Sequence, residues 1–149
     1  MKIGFYAGTF NPFHIGHLNI YDKAIRIFDK VIIGAGTNPN KPGIYSGLHV
    51  PAGVRTLSYQ DLLTTEMIKQ LRDEGDVTLI RGIRNGYDYD YEMNQIAVMK
   101  DLLPDLEVIL IPCDREFAHI SSTVIRTLWK FDQKAARRYL ACPDADIRF

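Results

Sequence analysis

The chain is punctuated by short runs of apolar residues, many of them β-branched or aromatic. Lys2–Ala7 ("KIGFYA") and Lys30–Ala35 ("KVIIGA") are of this kind, and "VTLI" (Val77–Ile80) and "EVILI" (Glu107–Ile111) share their character. A strand with one solvated face alternates apolar and polar residues, whereas continuous apolar runs belong to a parallel sheet buried on both faces. Helical patterns lie between the runs. "LNIYDKAIRIF" places apolar residues at Leu18, Ile20, Tyr21, Ala24, Ile25, Ile27 and Phe28, close to helical spacing. "LLTTEMIKQLRDEG" reaches Gly75, a residue suited to the position past a helix end. "YDYEMNQIAVMKDLL" stops before Pro104, and "SSTVIRTLWKF" opens on serines able to cap it.

With "VRTLS" (Val54–Ser58) as a further strand, the alternation predicts an α/β fold. The expected architecture is a doubly wound, Rossmann-like parallel sheet of five strands, in a single domain over residues 1–149. One segment departs from the pattern. "TNPNKPGIYSGLHVPAG", before Val54, is rich in Gly and Pro and has no helical period, although a parallel crossover usually carries a helix.

Composition narrows the function. At 149 residues, with 46% hydrophobic and 24% charged residues, the chain has the length and composition of one globular domain. Its formal net charge is zero, which argues against a nonspecific nucleic-acid or membrane-surface binder. A small anionic substrate needs only a local cluster of cations. No apolar run approaches a membrane helix, and "MKIGFYAG" has neither h-region nor cleavage site. Cys113 and Cys142 form no CxxC pair, so a reduced, cytoplasmic protein with inert thiols is the simplest expectation.

Ligands of such sheets bind beyond the carboxyl ends of the strands, so the polar residues there are the candidates. "GTFNPFHIGH" supplies Gly8, Thr9, Asn11, His14 and His17 after the first strand. Gly8 lets a ligand approach the backbone, and a helix starting near Gly16 or His17 directs its free N–H groups at the same space. Histidines three apart share a helix face. They suit phosphate, or they are satisfied surface residues. A zinc pair is disfavoured, because no further Cys, His or carboxylate set stands at ligand spacing.

Lys41 follows the second strand in "TNPNKPG", and "RGIRNG" puts Arg81 and Arg84 after the fourth. The rigid arginine fork suits phosphate, or else pairs with Asp88, Asp90 or Glu92. Ser121, Ser122 and Thr123 set hydroxyls and N–H groups at another helix start, a second anion site or a plain cap. These signals map to one rim, and no nucleophile–base arrangement competes with them. Phosphoryl or nucleotidyl transfer is the chemistry that needs cations and no protein nucleophile.

These residues resemble the nucleotidylyltransferase superfamily, whose signature is (H/T)xGH after the first strand and an ISS-type motif before a late helix. Here those are "GTFNPFHIGH" and "HISSTVIR". Within it, "RGIRNGYDYDYE" and "NPNKP" are similar to segments of bacterial phosphopantetheine adenylyltransferase. That resemblance implies transfer of AMP from ATP, with Mg2+, to 4′-phosphopantetheine, giving dephospho-coenzyme A and pyrophosphate. It also implies His17, Lys41 and Arg84 as catalytic residues. Gly8, Thr9, Phe10, His14, His17, Arg84, Glu92, Ser121, Ser122 and Thr123 would bind ATP. Thr9, Lys41 and Arg81 would meet the acceptor phosphate, with Leu62 and Leu63 along the acceptor's arm.

The resemblance also implies a homo-oligomer, a hexamer by family habit, with no nucleic-acid or membrane partner. His14 stands where phosphopantetheine enzymes usually carry threonine, and the double histidine with "ISSTVIR" is more typical of nicotinamide-mononucleotide adenylyltransferases. "RGIR" is foreign to those enzymes, so both acceptors stay open. The segment after Lys41 lacks a helix that phosphopantetheine enzymes carry. A catalytically silent nucleotide-binding module is therefore a further alternative.

Overall fold

The apolar runs become strands β1 (Lys2–Gly8), β2 (Lys30–Gly36), β3 (Arg55–Tyr59), β4 (Asp76–Ile83) and β5 (Glu107–Pro112) in the computed structural model, which describes residues 1–36, 48–59 and 62–149. They form one parallel sheet in the order β3-β2-β1-β4-β5. The chain winds outward from β1 to β3, then returns to the other side of β1 for β4. The order therefore reverses between β1 and β4, which opens a crevice at their carboxyl ends. This is the doubly wound α/β fold the sequence predicts.

Side-chain alternation along β1 divides the core in two. Ile3, Phe5 and Ala7 face helices α2 (Thr64–Leu71) and α3 (Gly86–Leu102), where Ile68, Leu71, Ile96 and Met99 cover them. Tyr6 points to the opposite face with Ile33 and Ile80, beneath Ile20 and Ala24 of α1 (Ile15–Ala24). Phe5, Ile32 and Leu79 are fully buried, and each such side chain contributes about 1.5–3 kcal/mol of burial.

Several boundaries moved. Helix α1 starts at Ile15 and stops at Ala24, so Ile25 and Ile27 lie past its end and are exposed. Strand β4 runs on to Ile83 and takes in Arg81, which pairs with Leu110 of β5. Past α4 (Ser122–Phe131) a short α5 (Gln133–Arg137) appears that the apolar period did not announce. It closes a satellite core of Ile120, Ile125, Ala136, Leu140 and Ile147. This layer braces the β1–α1 turn, since Ile15 N–H donates to the Tyr139 carbonyl at 2.9 Å and His14 bridges to Leu140. Residues 48–54 of the β2–β3 crossover hold no helix. Among the described residues no helix is long and apolar enough to cross a membrane.

Candidate active site

The β1–α1 turn is built around two interlocked histidines. His14 is the N-cap of α1, and its Nδ1 accepts the N–H groups of Gly16 at 3.1 Å and His17 at 3.3 Å. In return His17 Nδ1 accepts the N–H of His14 at 3.1 Å. This is a capping box made of imidazoles. The rings stack at 3.6 Å with 22° between their planes. Gly16 is required by that fold-back, because a Cβ there would lie 2.9 Å from His14 Cε1.

The interlock fixes chemistry as well as shape. An imidazole nitrogen that accepts a hydrogen bond carries no proton, so each neutral ring holds its proton on Nε2. Both rings thereby become donors. Burial, with the Arg84 charge adding to it, pushes the His14 pKa down to about 3, which keeps that ring neutral.

Aromatic packing sets the floor. Phe10, at a φ of 50°, turns its ring edge-on to Tyr6 and His17, with centroids at 4.9 Å from each. The space a side chain on Gly8 would take is filled by that ring, 3.0 Å from a Cβ. Gly8 thus makes room for Phe10, while its backbone lines the cleft.

At the β4–α3 turn each arginine faces a carboxylate, hydrogen-bonded for Arg84 and a looser ion pair for Arg81. Arg84 Nε and Nη2 donate to Asp88 at 2.9 and 3.2 Å, and its Nη1 donates to the Ile120 carbonyl at 3.1 Å. Arg81 Nη1 donates to the Ala7 carbonyl at 3.3 Å, with Nε 3.5 Å from Glu92 Oε2. The β5–α4 loop completes the rim. Ser121 Oγ caps α4 by accepting the Val124 N–H at 3.1 Å, and Ser122 Oγ donates to the Pro12 carbonyl at 3.0 Å. Arg126, which the sequence reading passed over, donates to the Asn11 carbonyl and to Thr123 Oγ1. Its spacing from Thr123 on one helix face was the available signal.

A cleft of about 1090 Å³ joins these turns. His14, His17, Gly8, Thr9, Phe10, Arg81, Arg84, Glu92, Ser121, Ser122 and Thr123 all line it, as do Leu62 and Leu63. Arg126 and Cys113 line it too. Burial raises the Cys113 pKa, so its thiol stays protonated. Lys41 lies outside the described residues. Its lining combines the donors of the two helix starts with the apolar side chains of Leu62, Leu63, Val98, Met99 and Leu102. Among the described residues no three His, Cys, Asp or Glu side chains converge as a metal-holding group.

Parallel strands, a crevice at the switch point and cationic donors around it suit a nucleotide-handling α/β transferase. A model described as cytidylyltransferase-like matches residues 5–128, and the chain belongs to this family of nucleotidyltransferases. Within it the chain is similar to phosphopantetheine adenylyltransferases. The one from Streptococcus pneumoniae (strain CGSP14) is 36% identical over 145 residues, which cover 91% of this chain and 88% of that protein. The one from Wolbachia pipientis wMel is 32% identical over 149 residues, covering 91% and 85%.

Solved structures share the fold at lower identity. A bifunctional NMN adenylyltransferase/ADP ribose pyrophosphatase from Francisella tularensis matches with a TM-score of 0.60 at 17% identity, over 96% of this chain and 46% of that one. A putative nicotinate-nucleotide adenylyltransferase from Vibrio parahaemolyticus matches with a TM-score of 0.54 at 14% identity, over 87% and 81%.

Proposed function

We propose that this chain transfers the adenylyl group of ATP to the phosphate of 4′-phosphopantetheine, releasing pyrophosphate and giving dephospho-coenzyme A. The observation that carries the reading is one cleft lined both by hydrogen-bond donors and by the apolar side chains of Leu62, Leu63, Val98, Met99 and Leu102. The donors suit a triphosphate, and the apolar side chains suit a long, uncharged arm. The relatives' name points the same way.

In this reading an acceptor phosphate oxygen attacks the α-phosphorus, and the bond to the β-phosphate oxygen breaks as pyrophosphate leaves. The attacking phosphate is already an anion, so no general base is needed. Catalysis then rests on positioning and on donors aimed at developing charge. His17 offers its Nε2–H to the phosphates, and Arg84, Ser122, Thr123 and Arg126 surround the nucleotide end. Arg81 and Thr9 meet the acceptor phosphate, and Leu62 and Leu63 flank its arm. Lys41 is assigned to the α-phosphate from the sequence alone.

A divalent cation accompanies ATP in this reaction class, and it neutralises phosphate charge. The carboxylates in the cleft, Asp88 and Glu92, face Arg84 and Arg81, so the cation would be held chiefly by the triphosphate, with the Ser and Thr hydroxyls as available oxygen ligands. We assign Mg2+ to that place. A cytoplasmic location and a homo-oligomeric, hexameric assembly belong to the same proposal.

The double histidine, together with "ISSTVIR", is what favours nicotinamide mononucleotide as acceptor. Its first member caps α1 through Nδ1, a task threonine performs equally well, so position 14 carries little information about the acceptor. Offering each acceptor with Mg-ATP and weighing the product tests the proposal. Dephospho-coenzyme A is expected. A dinucleotide formed from nicotinamide mononucleotide instead, or no product from either acceptor, would overturn it.

A further inference from the structure

Helix α3 turns one face to the cleft, and that face is not uniform. Tyr91, Gln95, Val98 and Leu102 all line the cleft, and their spacing of three and four residues puts them in one stripe. Val98 and Leu102 are apolar and exposed. One to two turns nearer the helix start, the stripe becomes polar at Gln95 and Tyr91. Asp88 and Glu92 line the cleft from the same helix, but they face Arg84 and Arg81. Tyr91 and Gln95 instead hold each other, since Gln95 Nε2 donates to Tyr91 Oη at 2.8 Å.

That bond leaves a defined pair of groups over. A phenol oxygen that accepts keeps its own O–H to donate, and a carboxamide that donates through nitrogen keeps Oε1 to accept. With the carboxamide turned over, the two residues exchange these roles, so a donor and an acceptor are left in either case. Among the described residues neither spare group has a further partner. The mutual bond restrains both side chains, and Gln95 is half-buried. A secondary amide is the complement of this pair, because its C=O accepts and its N–H donates. An apolar wall alone would take up an alkyl chain, but an amide laid against it without partners loses its hydration for nothing. A site built to hydrogen-bond such a group therefore discriminates against chains that lack it.

We infer that Tyr91 and Gln95 are specificity-determining residues that hold an amide of the acceptor's arm, with Val98 and Leu102 covering the alkyl segment beside it. The inference rests on the reaction proposed above, whose acceptor carries secondary amides in its arm. It adds two side chains that the motifs of the sequence left without a task.

Steady-state kinetics with 4′-phosphopantetheine and Mg-ATP each varied tests it. Tyr91→Phe deletes only the phenol oxygen, and Gln95→Leu deletes the carboxamide at similar volume. Loss of one hydrogen bond corresponds to roughly three- to tenfold in affinity. Each variant is therefore expected to raise the acceptor KM by about that factor, while kcat and the ATP KM stay within about twofold of wild type. A loosened α3 would give a different result, because Asp88 and Glu92 face the cleft arginines from the same helix and the ATP KM would rise as well. Calorimetric titration of each variant with 4′-phosphopantetheine alone should show the same weakening as the acceptor KM. Tyr91 is 53% exposed, so Tyr91→Phe carries the test where Gln95→Leu does not fold. An unchanged acceptor KM in either folded variant, or a matching rise in the ATP KM, would overturn the inference while leaving the reaction standing. A wild-type chain that forms no dephospho-coenzyme A would refute the reaction itself, and this inference with it.

Discussion

The β1–α1 turn and the β4–α3 turn both present cations or donors to the same cleft, but they are held in different ways. His14 and His17 fix one another through three hydrogen bonds within four residues of chain. Arg81 and Arg84 are fixed by Ala7 and Ile120, residues 74 and 36 positions away, and by Asp88 and Glu92 across a turn. A short motif can carry its own geometry when a cap and a glycine close it locally. Long, flexible side chains need the rest of the fold to aim them.

Four substitutions test that contrast, beginning with the largest effect. His17→Ala removes a donor that the turn holds at a fixed tautomer, and is expected to lower turnover by roughly 10²–10³. An unchanged rate in a product assay would mean that the motif is only a cap. Gly16→Ala forces a Cβ to within 2.9 Å of the His14 ring and should destabilise the fold by about 1–3 kcal/mol, as overpacking does. Chemical denaturation measures it, and a neutral result would show that the interlock yields easily.

The buried cap also makes the local turn sensitive to acid. His14 titrates at 6.5 when unfolded and at about 3 when folded, so the unfolded state takes the proton first. Stability therefore falls as pH drops below 6.5, by about 2 kcal/mol at pH 5 from this group. Asn caps without titrating, so His14→Asn should flatten the melting temperature between pH 7 and 5; a slope that persists would assign it elsewhere. The smallest effect is expected at the third turn. Ser121→Ala removes the α4 cap and should cost about 1 kcal/mol in a thermal melt, with α4 otherwise intact.

Strand content, helix content and the rim of candidate residues were legible from the sequence because their signals are local. Continuous apolar runs specify buried strands, and the H-I-G-H spacing specifies a helix start at a strand end. What misled was local as well: the apolar period of "AIRIF" continues past Ala24, yet α1 ends there. Arg81 was read as beyond its strand, because pairing with Leu110 on β5 extends β4 and is invisible in one segment. Nothing in the sequence says that Phe10 turns back over Gly8.

The sequence by itself determined the order of strands and helices, the donor-rich character of the rim and the family. These follow from residue type and spacing. Only the tertiary structure decided that Arg81 bonds Ala7, that Arg84 bonds Ile120, and that donors and apolar side chains line one cleft. Those are contacts between distant parts of the chain, and they exist only once the switch point brings β1, β4 and the start of α4 together.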